Sequence, residues 1–80
     1  MLKLNYELEE TYNNDGTVTL SKTCAVSDNV YSITVLCTDY QQKLNRLKTC
    51  REIWPDMSVC DREFLISGLT PGEWDYLYGQ

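Results

Sequence analysis

Residues 30–54 read VYSITVLCTDYQQKLNRLKTCREIW, and the fold turns on a change of period inside them. Val30 to Cys37 is rich in β-branched residues, with Tyr31, Ile33, Val35 and Cys37 at alternate positions and Val30 and Leu36 also apolar. A period of two is the mark of a strand with a buried face. The extra apolar residues point to a central strand, or one covered on part of both faces. From Thr38 onward the spacing changes, and Tyr40, Leu44, Leu47, Arg51 and Trp54 recur at three and four. That spacing predicts one helix over 40–54, capped by Thr38 or Asp39. Pro55 closes it, because the residue before proline is pushed out of the α region. The apolar stripe is narrow, so one face packs on the sheet and the basic face stays in water.

Upstream, Leu2, Leu4, Tyr6 and Leu8 alternate with Lys3, Asn5, Glu7 and Glu9, which predicts a half-buried strand. The cluster Asn13-Asn14-Asp15-Gly16 follows as a turn, with glycine where a positive φ costs little. Thr17 to Cys24 places Val18, Leu20 and Cys24 at alternate positions, completing a hairpin. Ser27-Asp28-Asn29 marks a second turn. Downstream, Ser58 opens a short helix carrying Phe64, Leu65 and Ile66, ended by Gly68 in the left-handed conformation. Thr70-Pro71-Gly72-Glu73 then reads as a capping box with proline at the first helical position, Leu69 stapling onto Trp74. The last helix bears Trp74, Leu77 and Tyr78 and ends at Gly79. The expected fold is therefore α+β: a three-stranded antiparallel β-meander (1–37), then one longer and two short α-helices packed on one face (38–80), in a single domain over 1–80.

Eighty residues lie near the lower end of what one core can hold together, with a folding surplus on the order of 3–5 kcal/mol. A homodimer is one route to further stability. The apolar share of 42% is well above a disordered composition. The opening Met1–Glu7 has no basic segment followed by a long apolar run, and no window approaches a membrane span, so a cytoplasmic protein is expected. Cys24, Cys37, Cys50 and Cys60 are then thiols, and most serve as small buried hydrophobes.

Catalysis finds little to work with. The chain has no histidine, the usual general base and a common metal ligand. It contains no C-x-x-C, no dinucleotide fingerprint and no phosphate-loop lysine motif. Carboxylate pairs such as Glu7 with Glu9, or Asp61 with Glu63, fall on strand or helix surfaces. No catalytic residue, cofactor or metal is expected, and a binding role is.

The net charge is −5, distributed as acidic ends around a basic middle. Lys43, Arg46, Lys48 and Arg51 fall within 41–54 against Glu52 alone, so Lys43, Arg46 and Lys48 form the candidate nucleic-acid face. No aromatic residue interleaves them for base stacking, and the whole molecule repels a polyanion at longer range. Nucleic acid is the lesser expectation. Glu7, Glu9, Glu10 and Asp15 are expected along the outer face and turn of the first hairpin, while Asp56, Asp61, Glu63, Glu73 and Asp75 dot the helical end. Such a set can meet a basic groove on a nucleic-acid-binding protein. Trp74, Asp75, Tyr76 and Tyr78 make the terminal helix dense in side chains that favour interfaces. The expected partner is a protein, with a bacterial nucleic-acid-binding enzyme the leading candidate. A structural or assembly subunit is the plainer alternative.

Asp61-Arg62-Glu63-Phe64-Leu65-Ile66-Ser67-Gly68-Leu69-Thr70-Pro71, followed by Glu73-Trp74-Asp75, resembles the ending of many small proteins of phages and mobile elements of Gram-positive bacteria. Some of those carry a C-x-x-C where this chain has Thr70 to Glu73, so any metal site of theirs is missing here. In length and acidity the chain is also similar to anti-CRISPR and other counter-defence proteins. That likeness implies an inhibitor that covers a surface of a bacterial defence protein.

Overall fold

A computed structural model describes residues 4–79. Three strands, β1 (Glu9–Tyr12), β2 (Thr17–Thr23) and β3 (Val30–Leu36), precede four helices. These are α1 (Cys37–Leu44), α2 (Cys50–Ile53), α3 (Val59–Ser67) and α4 (Pro71–Tyr78). The sheet is antiparallel in the order β1-β2-β3, an α+β meander. Its register pairs Glu10 with Leu20, Tyr12 with Val18, and Leu20 with Ile33. Gly16 (φ +85°) makes the first turn and Asp28 (φ +63°) lies in the second.

The central strand is β2, whereas the sequence favoured β3 for that place. Alternation holds in both strands, but only β2 buries its inward series almost completely, at Val18, Leu20 and Lys22. On β3, Val30 and Leu36 stand exposed on the open face of the sheet. That face is otherwise lined with hydroxyls, among them Thr19 and Thr34, whose oxygens lie 2.8 Å apart. The closed face carries Val18, Leu20 and Val35 into one cluster with Tyr40, Cys50, Phe64 and Leu65 from the helices. Tyr31 packs edge-on against Phe64, with ring centroids 4.9 Å apart.

The half-buried strand expected from the alternation of residues 2–9 is displaced: among the described residues it shares only Glu9 with β1, which runs on to Tyr12 and is exposed along its length. Pairing begins at Glu9, Leu2 and Lys3 lie outside the described residues, and residues 4–8 are irregular. The Asn5 carbonyl accepts a hydrogen bond from the Lys22 ammonium, and the Tyr6 backbone lies against Gly68. These contacts tie the segment to the inward side chain of Lys22 on β2 and to the end of α3.

The helix expected over 40–54 is two helices. Neither Thr38 nor Asp39 caps α1, which starts at Cys37 directly after β3 with no side-chain cap. It ends at Asn45 in a Schellman arrangement: the Arg46 N–H donates to the Lys43 carbonyl (3.2 Å) and the Leu47 N–H to that of Gln42 (3.0 Å). Arg46 takes the left-handed conformation (φ +57°) that glycine ordinarily supplies there. A capping box then starts α2, the Glu52 N–H donating to Thr49 Oγ1 while the Glu52 carboxylate accepts from the Thr49 N–H. The break removes Leu44 and Leu47 from the expected stripe and leaves both exposed.

Past Pro55 the local signals are realised. Ser58 caps α3, Gly68 (φ +79°) ends it, and Thr70 with Glu73 forms the capping box of α4 around Pro71. Arg62 secures the α2–α3 connection by donating to the carbonyls of Trp54, Pro55 and Met57.

Candidate interaction surfaces

An ion pair lies in the interior. Lys22 occupies the inward position between Leu20 and Cys24, and its ammonium lies 2.7 Å from Glu73 Oε1. It also donates to the carbonyls of Gly68 (2.8 Å) and Asn5, so all three ammonium donors are used. Glu73 is fully buried and also accepts from the backbone N–H groups of Thr70 (3.0 Å) and Ala25 (2.8 Å). Burial alone would raise its pKa, but these donors and the Lys22 charge hold it below the usual carboxylate value. Among the described residues no buried side-chain polar atom lacks a partner. The pair joins the central strand, the N-terminal segment and both ends of the α3–α4 connection. Its place is structural, and Glu73 leaves the set of surface acids.

The acidic residues of the first hairpin separate. Glu7 is exposed ahead of β1, and Glu9 pairs with Ser21 on the open side of the sheet. Glu10 does not share that outer face. Strand alternation turns it toward the helices, opposite Leu20, where its carboxylate accepts from Tyr40 Oη (2.5 Å) and Tyr12 Oη (3.0 Å). Burial first, and then the bond to Glu10, push the Tyr40 phenol pKa upward. Asp15 is exposed at the hairpin tip and accepts from the Thr17 N–H (3.1 Å) and hydroxyl (2.6 Å), bonds that lower its pKa. On the helical end Asp61 is drawn inward as the acceptor for the Tyr31 hydroxyl.

The terminal helix carries the exposed aromatic surface. Trp74 is half-buried and meets Tyr78 edge-on, with centroids 4.3 Å apart and planes at 79°. Tyr76 (52%) and Tyr78 (67%) remain exposed, with Leu77 between them and Asp75 beside them. The capping box fixes the start of this helix.

The basic residues come together at a different place. Lys43, Arg46 and Lys48 surround a hollow of about 710 Å³ over the α1–α2 break, whose apolar lining includes Leu44, Leu47 and Ile66. Arg51 is exposed outside that lining. The hollow had no single sequence signal, because it exists only where the expected helix breaks.

Cys24 and Cys50 are buried, Cys37 is half-buried and Cys60 is exposed, all as free thiols. Around Cys24, burial raises the pKa, but the hydroxyls of Ser27 and Thr70 and the amides of Ser27 and Val26 outweigh it and bring the thiol to about 7. Among the described residues no helix is long and apolar enough to cross a membrane. No family model matches the sequence, and neither a curated protein nor a solved structure matches the chain.

Proposed function

We propose that this chain is a non-catalytic protein-binding module that inhibits a bacterial nucleic-acid-binding protein by covering its basic surface. The observation that carries the reading is the run Asp75-Tyr76-Leu77-Tyr78, exposed on a capped helix beside the half-buried Trp74. Tyrosine and tryptophan bring large contact area with few rotatable bonds, and such residues dominate binding energy at interfaces. Exposed Glu7, Glu9 and Asp75, within a net charge of −5, supply the sign that a polyanion-binding surface attracts. The resemblance of residues 61–71 and 73–75 to the endings of phage and mobile-element proteins, together with the likeness in length and acidity to counter-defence proteins, supports a counter-defence role for that inhibition.

The test is capture of partners from nuclease-treated bacterial lysate, comparing the wild-type chain with Tyr76→Ser/Tyr78→Ser. A nucleic-acid-binding protein held by the wild type, at least tenfold weaker on the double variant and displaced by its own nucleic acid, is the expected result. Equal retention by the variant overturns the α4 assignment. A partner indifferent to nucleic acid overturns the inhibitory mechanism.

A further inference from the structure

The hollow over the α1–α2 break has the opposite character to the rest of the molecule. Four charged side chains line it: Lys43, Arg46 and Lys48, with Glu52 as the sole carboxylate. Glu52 is turned back into its own capping box, accepting from the Thr49 N–H (2.9 Å) and hydroxyl (3.2 Å). Three cations therefore face a partner in a chain whose net charge is −5. Between them are exposed aliphatic side chains: Leu47 at 70%, Ile66 at 57% and Leu44 at 45%.

The Schellman arrangement explains why Leu47 stands free. In that motif the residue after the left-handed position ordinarily packs on an apolar residue at the third position from the helix end. Here that residue is Gln42, so Leu47 has no apolar contact of this kind to make. Arg46 holds the left-handed turn in place of glycine and brings a positive charge to it.

We propose that this hollow is a second binding site, for an acidic amphipathic peptide segment of a partner protein. Aliphatic or aromatic side chains of the segment cover Leu44, Leu47 and Ile66, and its carboxylates meet Lys43, Arg46 and Lys48. A segment with alternate apolar and acidic faces satisfies both halves of the site, as a groove-bound helix does. A phosphodiester strand satisfies only the cationic half, because the apolar lining offers no aromatic ring for a base to stack on. The site is separate from the aromatic face of α4 and has a different charge preference.

The experiment uses the full chain and a fluorescent synthetic helix with Leu and Phe on one face and Glu on the other. A scrambled peptide of the same composition serves as the control, a single-stranded oligonucleotide as the competitor, and sedimentation of the chain alone measures self-association. Expected are polarisation binding that weakens at least several-fold between 50 and 300 mM salt, and amide shifts confined to 43–52 and Ile66. Arg46→Gly and Leu47→Ser should each weaken binding about tenfold. Arg46→Gly suits the left-handed backbone, so its loss of binding does not come from unfolding. Equal binding of the scrambled peptide, no binding at low salt, or shifts elsewhere overturn the proposal. Preferential competition by the oligonucleotide overturns it in favour of the nucleic-acid reading, and a dimer whose amide shifts fall on 43–52 and Ile66 overturns it in favour of self-association.

Discussion

Lys22 and Glu73, 51 positions apart, meet in the interior at 2.7 Å, with all three ammonium donors and both carboxylate oxygens engaged. A buried pair of this kind is worth little against a well-packed apolar replacement, but removing one partner strands the other. Lys22→Met should therefore cost about 3–5 kcal/mol, comparable with the whole stability of so small a domain. Lys22→Met/Glu73→Gln should recover at least half of the loss, because glutamine keeps the capping box and carries no charge. Urea titrations followed by tryptophan fluorescence measure both. Equal destabilisation of single and double variants contradicts the coupling.

The same pair gives acid sensitivity a definite sign. The folded pKa of Glu73 lies below its ordinary value of 4.5, so the unfolded chain binds more protons in that range. Its contribution is complete above 4.5 and disappears as pH falls through 4.5 and then through the lower folded value. The midpoint denaturant concentration should drop steeply below about pH 4.5 in the wild type. In Glu73→Gln the slope should be visibly shallower, and identical slopes would remove Glu73 from the account.

Gly68 and Gly16 make a matched comparison. Both have positive φ, but a Cβ on Gly68 would meet the Tyr6 carbonyl oxygen at 2.2 Å, while one on Gly16 meets nothing within 4 Å. Gly16→Ala should cost about 1 kcal/mol, the left-handed penalty alone. Gly68→Ala should cost well beyond 2 kcal/mol, since it adds a backbone clash next to the carbonyl that Lys22 holds. Thermal unfolding of the two variants side by side tests the ordering.

Cys24 should titrate near neutrality. Mass-mapped alkylation by a small reagent should show a midpoint near pH 7 for Cys24, as its pKa of about 7 requires. Ser27→Ala removes the hydroxyl donor to the sulfur while leaving the residue-27 amide, and should move that midpoint upward. An unmoved midpoint would show that Ser27 does not hold the thiolate.

How far the sequence could be read follows the range of each interaction. The caps at Ser58 and Thr70 and the stop at Gly68 were legible because the capping residues lie within a few positions of one another. The α1–α2 break was half legible: Thr49-Cys50-Arg51-Glu52 is a capping box in plain letters, but the stop before it uses Arg46 where glycine is the usual mark. Alternation in β2 places Lys22 inward, and the same rule separates Glu9 from Glu10. What no local pattern carries is the identity of a distant partner, so Glu73 for Lys22 and Tyr40 for Glu10 became visible only in the fold. The hollow at 43–48 was hidden for the same reason, since Ile66 comes to it from α3.

The three-way grip of Lys22 also bears on how fast the molecule comes apart. The β2–β3 ladder joins neighbouring strands and can assemble early, but the ammonium keeps its hydration until Asn5, Gly68 and Glu73 have all arrived. Desolvating that charge needs contacts from three separated parts of the chain, which predicts that it comes late on the folding route. Interactions that form beyond the barrier govern escape from the native state and leave the folding rate nearly untouched. Lys22→Met should therefore raise the unfolding rate far more than it lowers the folding rate; stopped-flow urea jumps measure both, and equal changes would place the grip before the barrier.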